Sequence, residues 1–222
     1  ALDISQTTAY RILNTLVRLD YLSFSEDTKR YKLTRKLLTL GFRALNEHNL
    51  LETVLPHLRD LRDRAKETAC FGVLGDEKGI FIEQARGHHA FCFVLSPGKP
   101  FELHCSAPGK AIMAYLPVTV RNRYLSYMTF PRYNSRTITS REAYLEELET
   151  VYQQGYALDN EEELSGVICV GAPVLNYTGY PCGSIWISGP KDRLTEEQLR
   201  STVQTVKEIA GQISAELGYR RV

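Results

Sequence analysis

The first 33 residues combine one amphipathic helix with a tight basic hairpin, and this combination constrains the fold more than any other part of the chain. Ser5 is a good helix N-cap, because its hydroxyl can accept a free backbone N–H of the first turn. Apolar residues then recur at helical spacing up to Leu16. A polar turn at 26–28 separates the two strand-like segments that follow, 21–24 and 29–33. This order predicts the back half of a winged helix-turn-helix.

The polar face of this helix predicts a contact with DNA. A recognition helix presents its N-terminal side chains to the major groove, and a basic second strand suits a wing lying along phosphates. The residues predicted to contact DNA are Gln6, Thr7, Thr8, Tyr10, Arg11, Asn14, Lys29 and Arg30. The alternative interpretation is an ordinary surface helix with a solvated polar face. The DNA-binding domain is predicted to span residues 1–34. Residues 1–4 look like the end of a preceding helix, so the first helix of this domain is expected to be missing.

The charge distribution predicts two regions with different tasks. Residues 1–43 hold eight Lys and Arg against four Asp and Glu, a net charge of +4, whereas residues 44–222 hold nineteen against twenty-two, a net charge of −3. A basic head on a slightly acidic body fits a phosphate-facing module joined to a second domain.

The cysteines and the apolar runs exclude several classes of protein. The five cysteines are scattered and none is in C-x-x-C spacing, so neither a metal site, a redox motif nor a cofactor is predicted. Scattered single thiols suit a reducing cytoplasm. No apolar run approaches the length of a membrane span, and no signal peptide is visible.

The rest of the chain predicts a linker helix at 35–48 and a larger domain at 49–222. The linker helix is apolar on more than one side, which predicts contact with a second copy of the chain. In the larger domain, strands are predicted at 69–74, 79–84, 91–95, 101–104, 156–159, 167–175 and 182–188, with helices before, between and after them. Strands in the middle and helices at both ends indicate an α+β fold, in which helices flank a central, mostly antiparallel sheet.

Three segments of the larger domain predict a ligand pocket. At Ser106–Gly109 a helix begins, and the free N–H groups and positive dipole of such an end suit a carboxylate. Asp159 ends an apolar strand, so its side chain can point inward. In the strand pair 167–173 and 184–190, side chains alternate between the two faces. Cys169 therefore shares a face of the first strand with small residues, and Trp186 shares a face of the second strand with Ser188.

Each segment also has a plainer interpretation. The helix start can be an ordinary capped end, and the strand pair can be core. Glu161–Glu163 are predicted to be a solvated loop rather than a metal site or an acid–base pair. An enzyme with Cys169 or Cys105 as nucleophile, aided by His104, is a second hypothesis, although neighbours on a strand point to opposite faces. A dimerisation module without any ligand is a third.

The order and spacing of these segments resemble the IclR family of bacterial transcriptional regulators. The likeness rests on the helix and hairpin, on 103–111 (LHCSAPGKA), 155–162 (GYALDNEE), 171–174 (GAPV) and 187–190 (ISGP), and it runs over essentially the whole chain. It implies a winged-helix DNA-binding domain and a GAF-like domain that binds a small organic acid. It also implies a repressor, not an enzyme, that sits on operator DNA as a homodimer or homotetramer.

The resemblance and the segments together predict the effector-binding residues. The family pattern implies that the effector is bound by the backbone at Ala107 and Pro108 and by the side chains of Asp159, Cys169 and Ser188. The full predicted set is Ser106, Ala107, Pro108, Gly109, Asp159, Cys169, Trp186 and Ser188. The chain departs from the family pattern at Trp186, where a small hydroxyl residue can sit; an indole there narrows the pocket or stacks on a flat ligand. Pro108 has no N–H to donate to a carboxylate.

Overall fold

The computed structural model describes residues 5–40 and 50–220 of a chain that divides into two units, Ala1–Leu51 and Glu52–Val222. The first unit holds helix α1 (Gln6–Arg18) and an antiparallel hairpin of β1 (Leu22–Ser25) and β2 (Arg30–Leu33). Ser5 caps α1 as predicted, because its Oγ accepts the backbone N–H of Thr8 at 3.2 Å. The helix and the hairpin therefore form where the sequence places them.

The predicted linker helix is described only in part. Residues 36–40 are helical, and the rest of the prediction, 41–48, lies outside the described residues. The helix end predicted at 1–4 also lies outside them. Leu38 and Leu40 are 59% and 47% exposed in the single chain. The contact with a second copy stays a prediction.

The second unit contains most of α2 (Leu50–Ala65) and every later element. Its strands are β3 (Thr68–Leu74), β4 (Gly79–Ala85), β5 (Pro100–Phe101), β6 (Ala157–Asn160), β7 (Val167–Leu175) and β8 (Pro181–Pro190). Its further helices are α3 (Ala107–Tyr115), α4 (Val118–Tyr127), α5 (Arg141–Gln154) and α6 (Glu196–Glu216). None of the helices described is both long enough and apolar enough to cross a membrane.

One six-stranded sheet organises the second unit, in the order β5-β4-β3-β8-β7-β6, and every neighbouring pair is antiparallel. The predicted α+β class with a central antiparallel sheet is confirmed. Strands β7 and β8 are buried along most of their length, since both α3 and α6 pack on them. Gly171 of β7 lets α3 approach closely, because a Cβ there would lie 3.0 Å from the carbonyl carbon of Ala107.

The predicted hairpin of 91–95 and 101–104 is wrong. Residues 92–96 form no strand, and only Pro100 and Phe101 join the sheet, beside β4. The side-chain amide of Gln84 takes the place of a neighbouring strand: its Nε2 donates to the Leu95 carbonyl and its Oε1 accepts the Leu95 N–H, both at 3.2 Å. The alternating pattern of this segment therefore marks side chains that turn inward from a loop.

Candidate functional site

A cavity of about 400 Å³ lies in the second unit, between the sheet, the start of α3 and three loops. Its apolar lining comes mainly from Phe81, Phe93, Leu95, Phe101, Tyr133 and Trp186. Its polar lining comes from Lys99, Ser106, Asp159, Glu163, Cys169 and Ser188. Apolar walls rich in aromatic side chains, with a few converging polar groups, are typical of a small-molecule site.

Three of the predicted residues lie in one row across the sheet. Asp159 of β6 is paired with Cys169 of β7, which is paired with Ser188 of β8. Directly paired residues of antiparallel strands share a face, so all three side chains point to the cavity. Cys169 Sγ and Ser188 Oγ are 3.3 Å apart. The sheet register therefore places a carboxyl, a thiol and a hydroxyl side by side.

Asp159 is held in an unusual environment for a carboxyl group. The residue is only 4% exposed, and its Oδ1 accepts the backbone N–H of Glu162 at 2.7 Å. Burial raises the pKa of Asp159 to about 7; the charges of Glu162 and Glu163 act in the same direction, while the Glu162 N–H and Lys110 act against it. The protonated and the ionised forms of Asp159 are therefore present in comparable amounts near neutral pH.

Glu162 is part of a buried ion cluster, so the prediction of a solvated loop at 161–163 is wrong for this residue. Lys110 Nζ donates to Glu162 Oε1 at 2.5 Å, to Glu147 Oε1 at 2.8 Å and to the Leu158 carbonyl at 2.5 Å. Lys110 is fully buried. A cation from α3 inside the protein attracts a carboxylate from the loop, and the pair fixes the loop beside Asp159.

The start of α3 offers a carboxylate fewer donors than predicted. Ser106 caps the helix: its Oγ accepts the Gly109 N–H at 3.1 Å, and its carbonyl accepts the Lys110 N–H at 3.0 Å. Ser106 Oγ itself donates to the Glu102 carbonyl. Pro108 lines the cavity without an N–H. These amides and this hydroxyl are thus engaged within the protein.

Ala107 and Gly109 do not line the cavity, unlike the other six residues predicted to bind an effector. Ala107 is buried where α3 meets β7. A Cβ at Gly109 would lie 2.4 Å from the Glu102 carbonyl oxygen and 2.6 Å from the Leu103 Cα. The glycine at this position therefore allows close packing of the helix on the 102–103 backbone.

Trp186 packs in a cluster of aromatic side chains. Its ring lies edge-on to Phe81, with centroids 6.1 Å apart, and to Phe101, at 5.5 Å. Sequence reasoning missed both phenylalanines. It also missed Phe93 and Tyr133, which lie in segments without regular structure. The only signal for Phe93 is the alternation of apolar residues at 91–95, which the sequence assigns to a strand.

The residues predicted to contact DNA lie in the first unit, all on its surface. On α1 the exposed members are Gln6, Thr7, Thr8, Tyr10, Arg11 and Asn14. On the hairpin, Lys29 and Arg30 are exposed, and Lys29 Nζ lies 2.6 Å from Glu26 Oε2. Apolar residues of α1 also remain accessible, with Ile12 48% exposed. Which of these side chains contacts DNA stays a prediction.

Known proteins of the same kind match nearly the whole chain. The family described as bacterial transcriptional regulator IclR, C-terminal, matches residues 42–215. The HTH-type transcriptional regulator KdgR of Escherichia coli is 33% identical over 216 residues, which are 97% of this chain and 82% of KdgR.

Solved structures of IclR-family regulators are also similar to this chain. The crystal structure of Thermotoga maritima IclR superposes with a TM-score of 0.76 at 31% identity, covering 98% of this chain and 87% of that one. An IclR homolog from Microbacterium hydrocarbonoxydans, complexed with 4-hydroxybenzoate, shares the fold at 23% identity, with a TM-score of 0.77 over 96% and 86% of the two chains. The chain belongs to the IclR family of bacterial transcriptional regulators.

Proposed function

We propose that this regulator is a repressor whose second unit binds a small organic acid in the cavity, and that the acid alters binding of the first unit to operator DNA. It works in the cytoplasm as a homodimer or homotetramer. The observation that carries the proposal is the row of Asp159, Cys169 and Ser188 at the polar end of an aromatic-walled cavity. The homolog that holds 4-hydroxybenzoate, itself an aromatic acid, supports this choice of ligand.

The acid can regulate DNA binding only if it binds two arrangements of the protein with different affinity. The domain division proposed from the sequence, a DNA-binding part at 1–34, a linker at 35–48 and an effector domain at 49–222, provides the separate sites that such coupling needs. The predicted DNA-contacting residues are Gln6, Thr7, Thr8, Tyr10, Arg11, Asn14, Lys29 and Arg30, all exposed.

The single tryptophan of the chain offers a direct test, because Trp186 lines the cavity. Titration with 4-hydroxybenzoate and with aliphatic keto and sugar acids should change the tryptophan fluorescence for those acids that bind. A ligand at about a hundred times its Kd should also add about 2.7 kcal/mol to the free energy of unfolding.

Two variants make the test specific. Asp159→Ala should weaken binding of the acid and leave DNA binding of the unliganded protein intact. Asp192→Ala, an exposed carboxylate outside the cavity lining, should change neither. Unchanged affinity for the acid in Asp159→Ala would contradict the proposal.

The alternative of a thiol-dependent enzyme has less support. Burial raises the pKa of both Cys169 and Cys105, whereas a nucleophilic cysteine needs a lowered pKa. The Nε2 of His104 is 3.1 Å from the Pro131 carbonyl oxygen and so points to backbone. Turnover of any bound acid that is lost in Cys169→Ser would favour the enzyme instead.

A further inference from the structure

A carboxylate that enters this cavity must find hydrogen-bond donors, because a buried charge without them is very unfavourable. The nearest cation of the interior, Lys110, is not free: its Nζ already contacts Glu147, Glu162 and the Leu158 carbonyl, which use its three hydrogens. The Gly109 and Lys110 amides are bonded to Ser106. Lys99 lines the cavity but is exposed to solvent.

Apart from the exposed Lys99 ammonium, the side-chain donors that remain at the polar end belong to the row across the sheet. Ser188 has a hydroxyl and Cys169 has a weakly donating thiol, 3.3 Å apart. Asp159 lies next in the row. When ionised, its carboxylate would repel the ligand, whereas the protonated carboxyl has an O–H to donate.

The charges around Asp159 favour the protonated form. The loop after β6 contributes the carboxylates of Glu162 and Glu163, and Lys110 of α3 is the opposing cation. The thiol of Cys169 is the cross-strand neighbour of Asp159, and burial raises the pKa of this thiol, so it adds no charge near neutral pH. Asp159 is 4% exposed, so water screens these charges poorly.

We propose that an organic acid binds in this cavity as a carboxylate paired with the protonated carboxyl of Asp159, so that binding takes up a proton from solution wherever Asp159 is ionised in the unliganded protein. The inference rests on the proposed function and adds the protonation state that this ligand requires. The ligand keeps its negative charge, the proton goes to Asp159, and no covalent bond forms. A hydroxyl group of the ligand directed at ionised Asp159 would have the opposite linkage, namely release of a proton.

The proton linkage has a defined pH dependence. The pKa of Asp159 in the unliganded protein is about 7, and a second carboxylate beside it raises this pKa further. Proton uptake should therefore be small below pH 6 and approach one proton per ligand above pH 8. The affinity for the acid should fall about tenfold per pH unit in that upper range, as linkage requires.

Isothermal titration calorimetry with 4-hydroxybenzoate at pH 7.5 tests the proposal, in two buffers of different ionisation enthalpy. At this pH the ligand phenol stays neutral, as a phenol titrates near pH 10. The observed enthalpy should depend on the buffer and give an uptake of more than half a proton. Asp159→Asn should abolish the buffer dependence, and the exposed control Asp192→Asn should retain it.

The outcomes are distinguishable. Binding with no proton uptake, or with proton release, would overturn this inference and leave the proposed function standing. Failure of 4-hydroxybenzoate and of the aliphatic acids to bind at all would contradict the proposed function, and the inference with it. Carboxyl ¹³C NMR of the unliganded protein gives a second measurement: Asp159, assigned with Asp159→Asn, should titrate near pH 7, and a midpoint below pH 5 would also overturn the inference.

Discussion

The ammonium group of Lys110 lies 2.5 Å from the carboxylate of Glu162, and both residues are buried. The pair joins α3, whose start borders the cavity, to the loop that follows β6. Glu162 also donates its backbone N–H to Asp159 and accepts the Thr137 hydroxyl at its carbonyl, at 2.7 Å in each case. One residue thus connects the polar end of the cavity to an interior ion pair and to the segment before α5.

Replacing Lys110 by Met should destabilise the protein by about 3–5 kcal/mol, because the variant leaves Glu162 buried without its cation. Urea unfolding at pH 7 measures this change. Lys191→Met is the matched control: Lys191 also pairs with a carboxylate at 2.5 Å, that of Glu161, but its side chain is 47% exposed. Exposed pairs contribute about 1 kcal/mol or less. Equal losses in the two variants would contradict the role of burial.

Asp159→Asn should stabilise the protein at high pH. The folded carboxyl has a pKa of about 7, against about 3.9 in the unfolded chain, so the folded state holds a proton over this range that the unfolded state has released. The contribution of Asp159 to stability therefore falls as the pH rises from 4 to 7. Asparagine keeps the acceptor oxygen for the Glu162 N–H and cannot titrate.

The gain in the free energy of unfolding of Asp159→Asn should be about 2.6 kcal/mol larger at pH 8 than at pH 5. Urea unfolding at the two pH values provides the comparison, and Asp192→Asn should show the same stability relative to wild type at both. A gain for Asp159→Asn that is independent of pH would show that ionisation of this carboxyl is not its cause.

Trp186→Leu should change which acids bind. The indole packs against Phe81 and Phe101, and its loss enlarges the cavity and removes a flat wall. Aromatic acids should lose at least tenfold in affinity, equivalent to about 1.4 kcal/mol, while aliphatic acids should lose less. Calorimetry measures both, because the variant has no tryptophan. Tyr177→Leu, at a 69% exposed aromatic residue, should leave both affinities unchanged.

Arg11→Ala should weaken DNA binding by about 1–3 kcal/mol without altering the affinity for the acid. Arg11 is exposed on α1, in the unit that does not hold the cavity. Fluorescence anisotropy with a duplex selected from a random library measures the first quantity, and calorimetry the second. Arg200→Ala is the control, since this arginine is exposed on α6. Unchanged DNA affinity in Arg11→Ala would remove Arg11 from the predicted contacts.

The sequence predicts those parts of the fold that local chemistry determines. The cap at Ser5, the helix that begins at Ser106–Gly109 and the β7–β8 pair follow from hydroxyl, helical and alternating patterns that act over a few residues. The prediction that Asp159 points inward is correct, because Asp159 alternates along β6 with Leu158 and Asn160 and is buried like Ala157.

Long-range partners explain what the sequence does not predict. Glu162 looks like one of three solvated acids until α3 brings Lys110 to it, 52 residues away along the chain. Residues 91–95 alternate like a strand, but the side chain of Gln84 satisfies the backbone of Leu95 instead. Gly109 reads as a site for a ligand, whereas the 102–103 backbone occupies the space beside it.

The helix α3 packs closely on β7 at Gly171, so backbone contacts hold the walls of the cavity together while side chains line it. A side chain at 171 would press on the start of α3, since its Cβ would lie 3.0–3.2 Å from backbone atoms of Ala107 and Pro108. Phe93, Leu95 and Trp186, in contrast, shape the interior with side chains alone. Exchange of a few lining side chains can therefore alter which acid the proposed site accepts without moving the backbone that presents them.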